Sequence, residues 1–164
     1  MTEPSPPPQT DTQHAIRSLA RLARMLERMM PARLTMADFR MLSAIGDGEA
    51  RASRLAHRLA VGKPTVSATV DSLVKRGLVT RTAHGADQRA IDLALTIDGV
   101  TVLADADAAL GNALDRIAAE TPDADATLRA LAQLGPALDT LLAARDARLA
   151  GGAHAAASRP GAAG

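Results

Sequence analysis

Residues 50–98 read ARASRLAHRLAVGKPTVSATVDSLVKRGLVTRTAHGADQRAIDLALTID, and their punctuation decides the fold. The spacing predicts a short helix over 53–60, with Leu55, Ala56 and Leu59 on one side. Val61-Gly62 breaks it. Pro64 suits the first turn of a second helix, where its missing N–H would have no intrahelical partner. In that helix Val66, Val70, Leu73 and Val74 recur at helical spacing. Lys75, Arg76 and Gly77 end it, the cations meeting the negative end of the helix dipole and the glycine supplying the cap. Two strands follow, over 78–82 and 90–95, with His84 to Arg89 as the turn between them.

Two helices and a hairpin in this order make a winged helix-turn-helix, whose second helix is sized for a DNA major groove. The apolar stripe fixes which side faces out. Opposite it lie Pro64, Thr65, Ala68, Ser72 and Lys75, with Lys63 at the helix start and Asp71 at the margin. Thr65 and Ser72 can bond a base edge or a phosphate, and the methyl groups of Thr65 and Ala68 can touch thymine. Lys63 and Lys75 are expected on phosphates, which position the protein without specifying sequence. On an isolated helix these residues would be read as an ordinary solvated face; beside a hairpin they read as a DNA-contacting one. No Arg, Asn or Gln occurs from Lys63 to Val74. Base readout is therefore expected to be modest, with duplex shape and wing contacts contributing specificity.

The motifs extend past this stretch. Leu34-Thr35-Met36-Ala37-Asp38-Phe39-Arg40-Met41-Leu42 precedes it. Leu55-Ala56, Lys63-Pro64-Thr65-Val66-Ser67, Asp71-Ser72-Leu73, Arg76-Gly77-Leu78-Val79 and Asp87-Gln88-Arg89 lie within it, and Leu95-Thr96-Ile97-Asp98-Gly99 closes it. In order and spacing these resemble the MarR family of dimeric bacterial transcription regulators. The resemblance implies that Asp87 and Arg89 order the wing, the carboxylate pairing with an arginine while Arg89 reaches the DNA. Arg81 is a local partner candidate for Asp87. The full DNA-contacting set expected is Arg51, Ser53, Lys63, Pro64, Thr65, Ser67, Ala68, Ser72, Lys75, Arg81, Asp87 and Arg89. Many relatives carry an arginine where this chain has Ala68. That departure supports an alternative reading, a dimeric protein-interaction adaptor that keeps the fold without binding DNA.

Composition narrows the partners. The formal net charge of +1 hides an asymmetry: residues 1–89 hold 14 Lys and Arg against 8 Asp and Glu, and residues 90–164 hold 5 against 10. A basic half containing the reading head fits duplex DNA as partner. Phe39 is the only aromatic residue, so base-stacking platforms for single strands or RNA are disfavoured. With no cysteine there is no disulfide and no thiol redox sensor. No apolar run reaches the ~18 residues of a membrane span, and the N-terminus lacks a signal pattern, so a cytoplasmic protein with no membrane partner is expected. There is no phosphate loop, nucleophile elbow or His-Glu-x-x-His helix. No enzyme activity, cofactor or metal is expected.

The chain divides into a tail (1–12), a helical dimerisation region (13–34 and 97–149), the winged helix-turn-helix (35–96) and a second tail (150–164). The fold class is mainly α, α+β. In the first helix, 13–30, Ile16, Leu19, Leu22, Ala23, Leu26 and Met29 or Met30 form an apolar stripe, and Arg17, Arg21, Arg24 and Arg28 a basic one. Thr35 is an N-cap with Asp38 three residues on. Residues 49–51 are expected as a third strand. Thr96 caps a helix to about 120, and leucines recur every three or four residues from 128 to 149. Gly135-Pro136 predicts a kink or break there. One winged unit reads only a few base pairs, whereas a twofold pair reads half-sites ~34 Å apart, so a homodimer through the terminal helices is expected. The resemblance further implies a small phenolic or lipophilic anion as effector, with Arg21, Leu22, Met25, Met29, Met36, Phe39, Arg40 and His57 as its candidate contacts.

Overall fold

The computed structural model describes residues 10–49, 51–84 and 87–157, without the side chains of Ser53, 83–91, 146–147 and 149–157. The chain forms α1 (Asp11–Met29), α2 (Met36–Gly46), α3 (Ala52–Arg58), α4 (Lys63–Lys75), β1 (Val79–His84), β2 (Asp87–Leu95), α5 (Ile97–Ala119) and α6 (Ala124–Ala157). This is the mainly α winged helix-turn-helix that the motifs predict.

Caps set most of the boundaries. Thr10 makes a reciprocal capping box with Gln13, so α1 begins at Asp11, two residues into the stretch read as a tail. Thr35 and Asp38 make the second box, in which the Asp38 N–H donates to Thr35 Oγ1 at 3.1 Å and the Thr35 N–H to Asp38 Oδ2 at 3.0 Å. Gly77, at φ 72°, lets the chain turn left-handed out of α4: its N–H reaches Val74 O at 2.9 Å and the Leu78 N–H reaches Leu73 O at 2.9 Å. That is the paired-bond glycine cap, and it swings the chain directly into β1.

The core lies where these elements meet. Met41, Leu42 and Ile45 from α2, Leu55 from α3, Val66, Val70 and Leu73 from α4, and Val79 and Leu93 from the hairpin are all buried together. Burying each such side chain stabilises the fold by roughly 1.5–3 kcal/mol relative to leaving it exposed. The stripe read from the sequence is therefore what seats α4, and its other side is left to solvent. In the hairpin Val79 pairs with Leu95 and Arg81 with Leu93 in antiparallel register, with an irregularity at Ala83/His84.

Three sequence expectations are corrected. The strands reach further into 84–89 than expected, so Asp87 and Arg89 belong to β2 and not to a turn. Glu49 and Arg51 are not in a strand; among the described residues the sheet has two strands only, and the Glu49 N–H is used by Ala44 O. Of the kink or break expected at Gly135-Pro136, the break does not occur: the final helix runs through to Ala157, past the boundary expected at 149. Residues 132–140 are exposed, so water can satisfy the carbonyl that Pro136 leaves without a donor. The tails expected at 1–9 and 158–164 lie outside the described residues. No described helix is long and apolar enough to cross a membrane.

Candidate nucleic-acid interface

α4 presents a continuous outward face. Val66, Val70 and Leu73 are at most 2% exposed, while Lys63, Pro64, Thr65, Ser67, Ala68, Ser72 and Lys75 are all exposed. Gly62 occupies the N-cap with an extended backbone and no side-chain cap, and Pro64 sits in the first turn. The N-terminal amides of α4 therefore remain available to an anion, beside Lys63. Lys75 stands at the other end of the same face. Thr65, Ala68, Ser72 and Lys75 follow at spacings of three, four and three, so they share one stripe.

The wing is fastened to that face by a pair not foreseen from sequence. Arg81 on β1 donates to Asp71 Oδ1 on α4 at 2.5 Å. Arg81 is thus engaged by α4; the side chain of Asp87, expected as its partner, lies outside the described residues. The pair neutralises Asp71 at the margin of the outward face of α4. The side chains of Asp87, Arg89 and Ser53 lie outside the described residues, so the wing role expected of Asp-x-Arg has no side-chain geometry here. Arg51 is exposed at the N-cap position of α3. Arg54, one turn into α3, is also exposed.

The C-terminal end of α4 is positioned by polar ties. Arg76 at its C-cap donates to Asp38 Oδ2 at 3.0 Å and to the Arg33 carbonyl, joining α4 to the start of α2. Burial alone would raise the Asp38 carboxyl. Hydrogen bonds from the Thr35 backbone, the Arg76 guanidinium and the Thr35 hydroxyl, with the Arg76 charge, outweigh that and hold it below its ordinary value. The Thr96 hydroxyl donates to Gly77 O at 2.7 Å and accepts from the Gly99 N–H at 2.9 Å. The Thr96 N–H donates to Leu78 O at 3.1 Å. A Cβ on Gly99 would lie 2.0 Å from that same Leu78 oxygen. The Leu-Thr-x-x-Gly motif is therefore a clamp between the exit of α4 and the start of α5. Arg40, expected at an effector, donates to Leu59 O at 2.8 Å and ties α2 to the end of α3.

The other effector candidates divide between separate places. Arg21, Leu22 and Met25 line an open cleft of about 660 Å³ between α1 and α5, with Ser18, Arg24, Arg28 and Ile117. Met25 and Met29 line an adjoining cleft of about 550 Å³ with Arg116 and Ile117. Met36, Phe39 and Arg40 line neither; Phe39 packs against the core. His57 is exposed on α3, in a cleft with Asp47, Arg58 and, from α6, Asp139 and Leu142. Arg28 and Ile117 were not singled out as ligand contacts from sequence, although the Arg17–Arg21–Arg24–Arg28 spacing already put Arg28 on the same stripe. No group of metal-ligating side chains occurs among the described residues.

Residues 34–90 match the family model described as MarR family. No curated protein sequence matches the chain significantly. Among solved structures it is similar to wild-type apo MarR from E. coli, at 23% identity and TM-score 0.67, over 78% of this chain and 97% of that one. It is also similar to CouR, a transcriptional repressor solved on a 23-mer DNA duplex, at 24% identity and TM-score 0.67, over 79% and 92%. A third is the M. tuberculosis transcriptional regulator MosR in complex with DNA, at 26% identity and TM-score 0.57, over 81% and 98%. The resemblance read from the motifs is borne out: the chain has the MarR-family winged-helix fold.

Proposed function

We propose that this chain is a cytoplasmic transcriptional repressor that acts as a homodimer on a pseudo-palindromic operator and is released by a small lipophilic anion. It works by binding and carries out no catalysis. The observation that carries this reading is the outward face of α4. A fully buried apolar stripe seats the helix, leaving hydroxyls and small side chains outward between Lys63 and Lys75. A solved relative of the same fold on duplex DNA supports the partner.

Dimerisation is supported by apolar side chains that a single chain leaves in water. Ile16 and Leu19 on α1 are 62% and 45% exposed, and Leu138 and Leu141 on α6 are 57% and 67% exposed. Burying such faces against a second copy would place two α4 helices on successive turns of one side of a duplex. The α1/α5 cleft suits the effector: Arg21, Arg24 and Arg28 supply cations over a floor of Leu22, Met25 and Ile117. An anion there would act only through unequal affinity for DNA-competent and incompetent spacings of the two heads.

The test is selection from a random-sequence duplex library with the purified chain, repeated with lipophilic and phenolic acids. The proposal expects enrichment of an inverted repeat with half-site centres about one helical turn apart, and loss of retention with at least one acid class. Enriched sequences without twofold symmetry would contradict the homodimer, and retention unaffected by every acid would contradict the effector.

A further inference from the structure

We infer that the reading helix recognises its site through the C5-methyl groups of thymine, with Thr65 and Ala68 as the specificity-determining residues. This rests on the reading above, that α4 enters a DNA major groove.

The exposed face of α4 lacks the side chains that read most bases. Guanine is read by a bidentate Arg or Lys, adenine by Asn or Gln, and cytosine by an Asp or Glu accepting from its amino group. α4 carries no Arg, Asn or Gln. Its two lysines stand at the first and last positions of the helix, where phosphates are the nearer targets. Its one carboxylate, Asp71, stands at the margin of the face with Oδ1 bonded by Arg81 and its charge neutralised there. The centre of the stripe is left with Thr65, Ala68 and Ser72, all exposed. Among base edges in the major groove only thymine offers a methyl group, and only small apolar groups meet it without stranding a polar atom. The Thr65 Cγ2 and the Ala68 Cβ lie one turn apart on the same stripe. Their small size also lets the helix axis settle deeper than an arginine at either position would allow. The Thr65 hydroxyl remains free to bond a neighbouring base edge or phosphate.

The same face gives the wing root a defined part. With Asp71 neutralised, no unpaired carboxylate faces the groove from α4, so a weakly polar centre can approach the base edges.

The experiment uses the full chain and four defined duplexes: alternating A·T, the same with deoxyuridine for every thymidine, alternating G·C, and the same with 5-methylcytosine for every cytosine. Fluorescence anisotropy across a salt series measures each. Removing the methyl from A·T should weaken binding by about fourfold per contacted methyl group, and adding it to G·C should strengthen binding by a similar factor. The salt slope should be the same within each pair, since phosphate contacts are untouched. Thr65→Ser with Ala68→Ser should abolish both methyl effects. Binding that is salt-dependent yet indifferent to the methyl in both pairs overturns this inference and leaves the duplex-binding reading standing. No binding to any of the four overturns both.

Discussion

At Gly99 a single hydrogen atom separates α5 from the Leu78 carbonyl, so the smallest side chain has no room. Gly99→Ala would force backbone apart at the junction of α4, the hairpin and α5. We expect a loss of about 1–3 kcal/mol in urea unfolding; an unchanged midpoint would mean the clamp is not needed. Asp38 gives a second test. Its folded pKa is lowered, so its contribution is present above the unfolded carboxylate pKa and is lost as pH falls through the lower folded value. Asp38→Asn keeps an oxygen for the capping box but removes the charge facing Arg76. It should cost about 1 kcal/mol at neutral pH and flatten the loss of stability below pH ~4. Equal acid sensitivity in the variant and the parent would show that Asp38 contributes nothing there. Neither role could be read from sequence. Asp38 was legible as a cap because capping is local, but its pairing with Arg76 spans 38 positions and only the packing of α2 against α4 creates it.

Local punctuation explains which elements were legible. The bounds of α4 follow from Gly62, Pro64 and Lys75-Arg76-Gly77, because those residues act through backbone geometry within one turn. The hairpin ends were misread because strand pairing, not the glycine between them, decides how far a ladder extends. At Pro136 the helix is not broken, because this stretch of α6 is exposed and water can satisfy the carbonyl left without a donor. Of the interface, the outward stripe of α4 was legible from period alone, whereas the Arg81–Asp71 tie was not. That tie makes a prediction at this scale. Arg81→Ala should weaken duplex binding by about fivefold, the scale of one exposed ion pair. Adding Asp71→Asn should restore it if the role of Arg81 is to neutralise Asp71. Absence of rescue would assign Arg81 to the DNA directly. Arg89→Ala should weaken binding to all sequences and reduce the salt dependence; unchanged affinity would contradict the wing assignment.

For the whole molecule the reading depends on two copies acting together. The basic half carries the reading helix, and the terminal helices leave apolar faces in water. Leu138→Asp with Leu141→Asp should give a folded monomer by sedimentation, with duplex affinity reduced to that of one head; a variant that remains dimeric would move the interface off α6. The most direct test of the central claim is sedimentation velocity of the parent chain with a labelled duplex, from low to high salt. The account predicts two chains per duplex at low salt, with the logarithm of affinity falling linearly with the logarithm of salt. One chain per duplex, or no co-sedimentation at any salt, would contradict it.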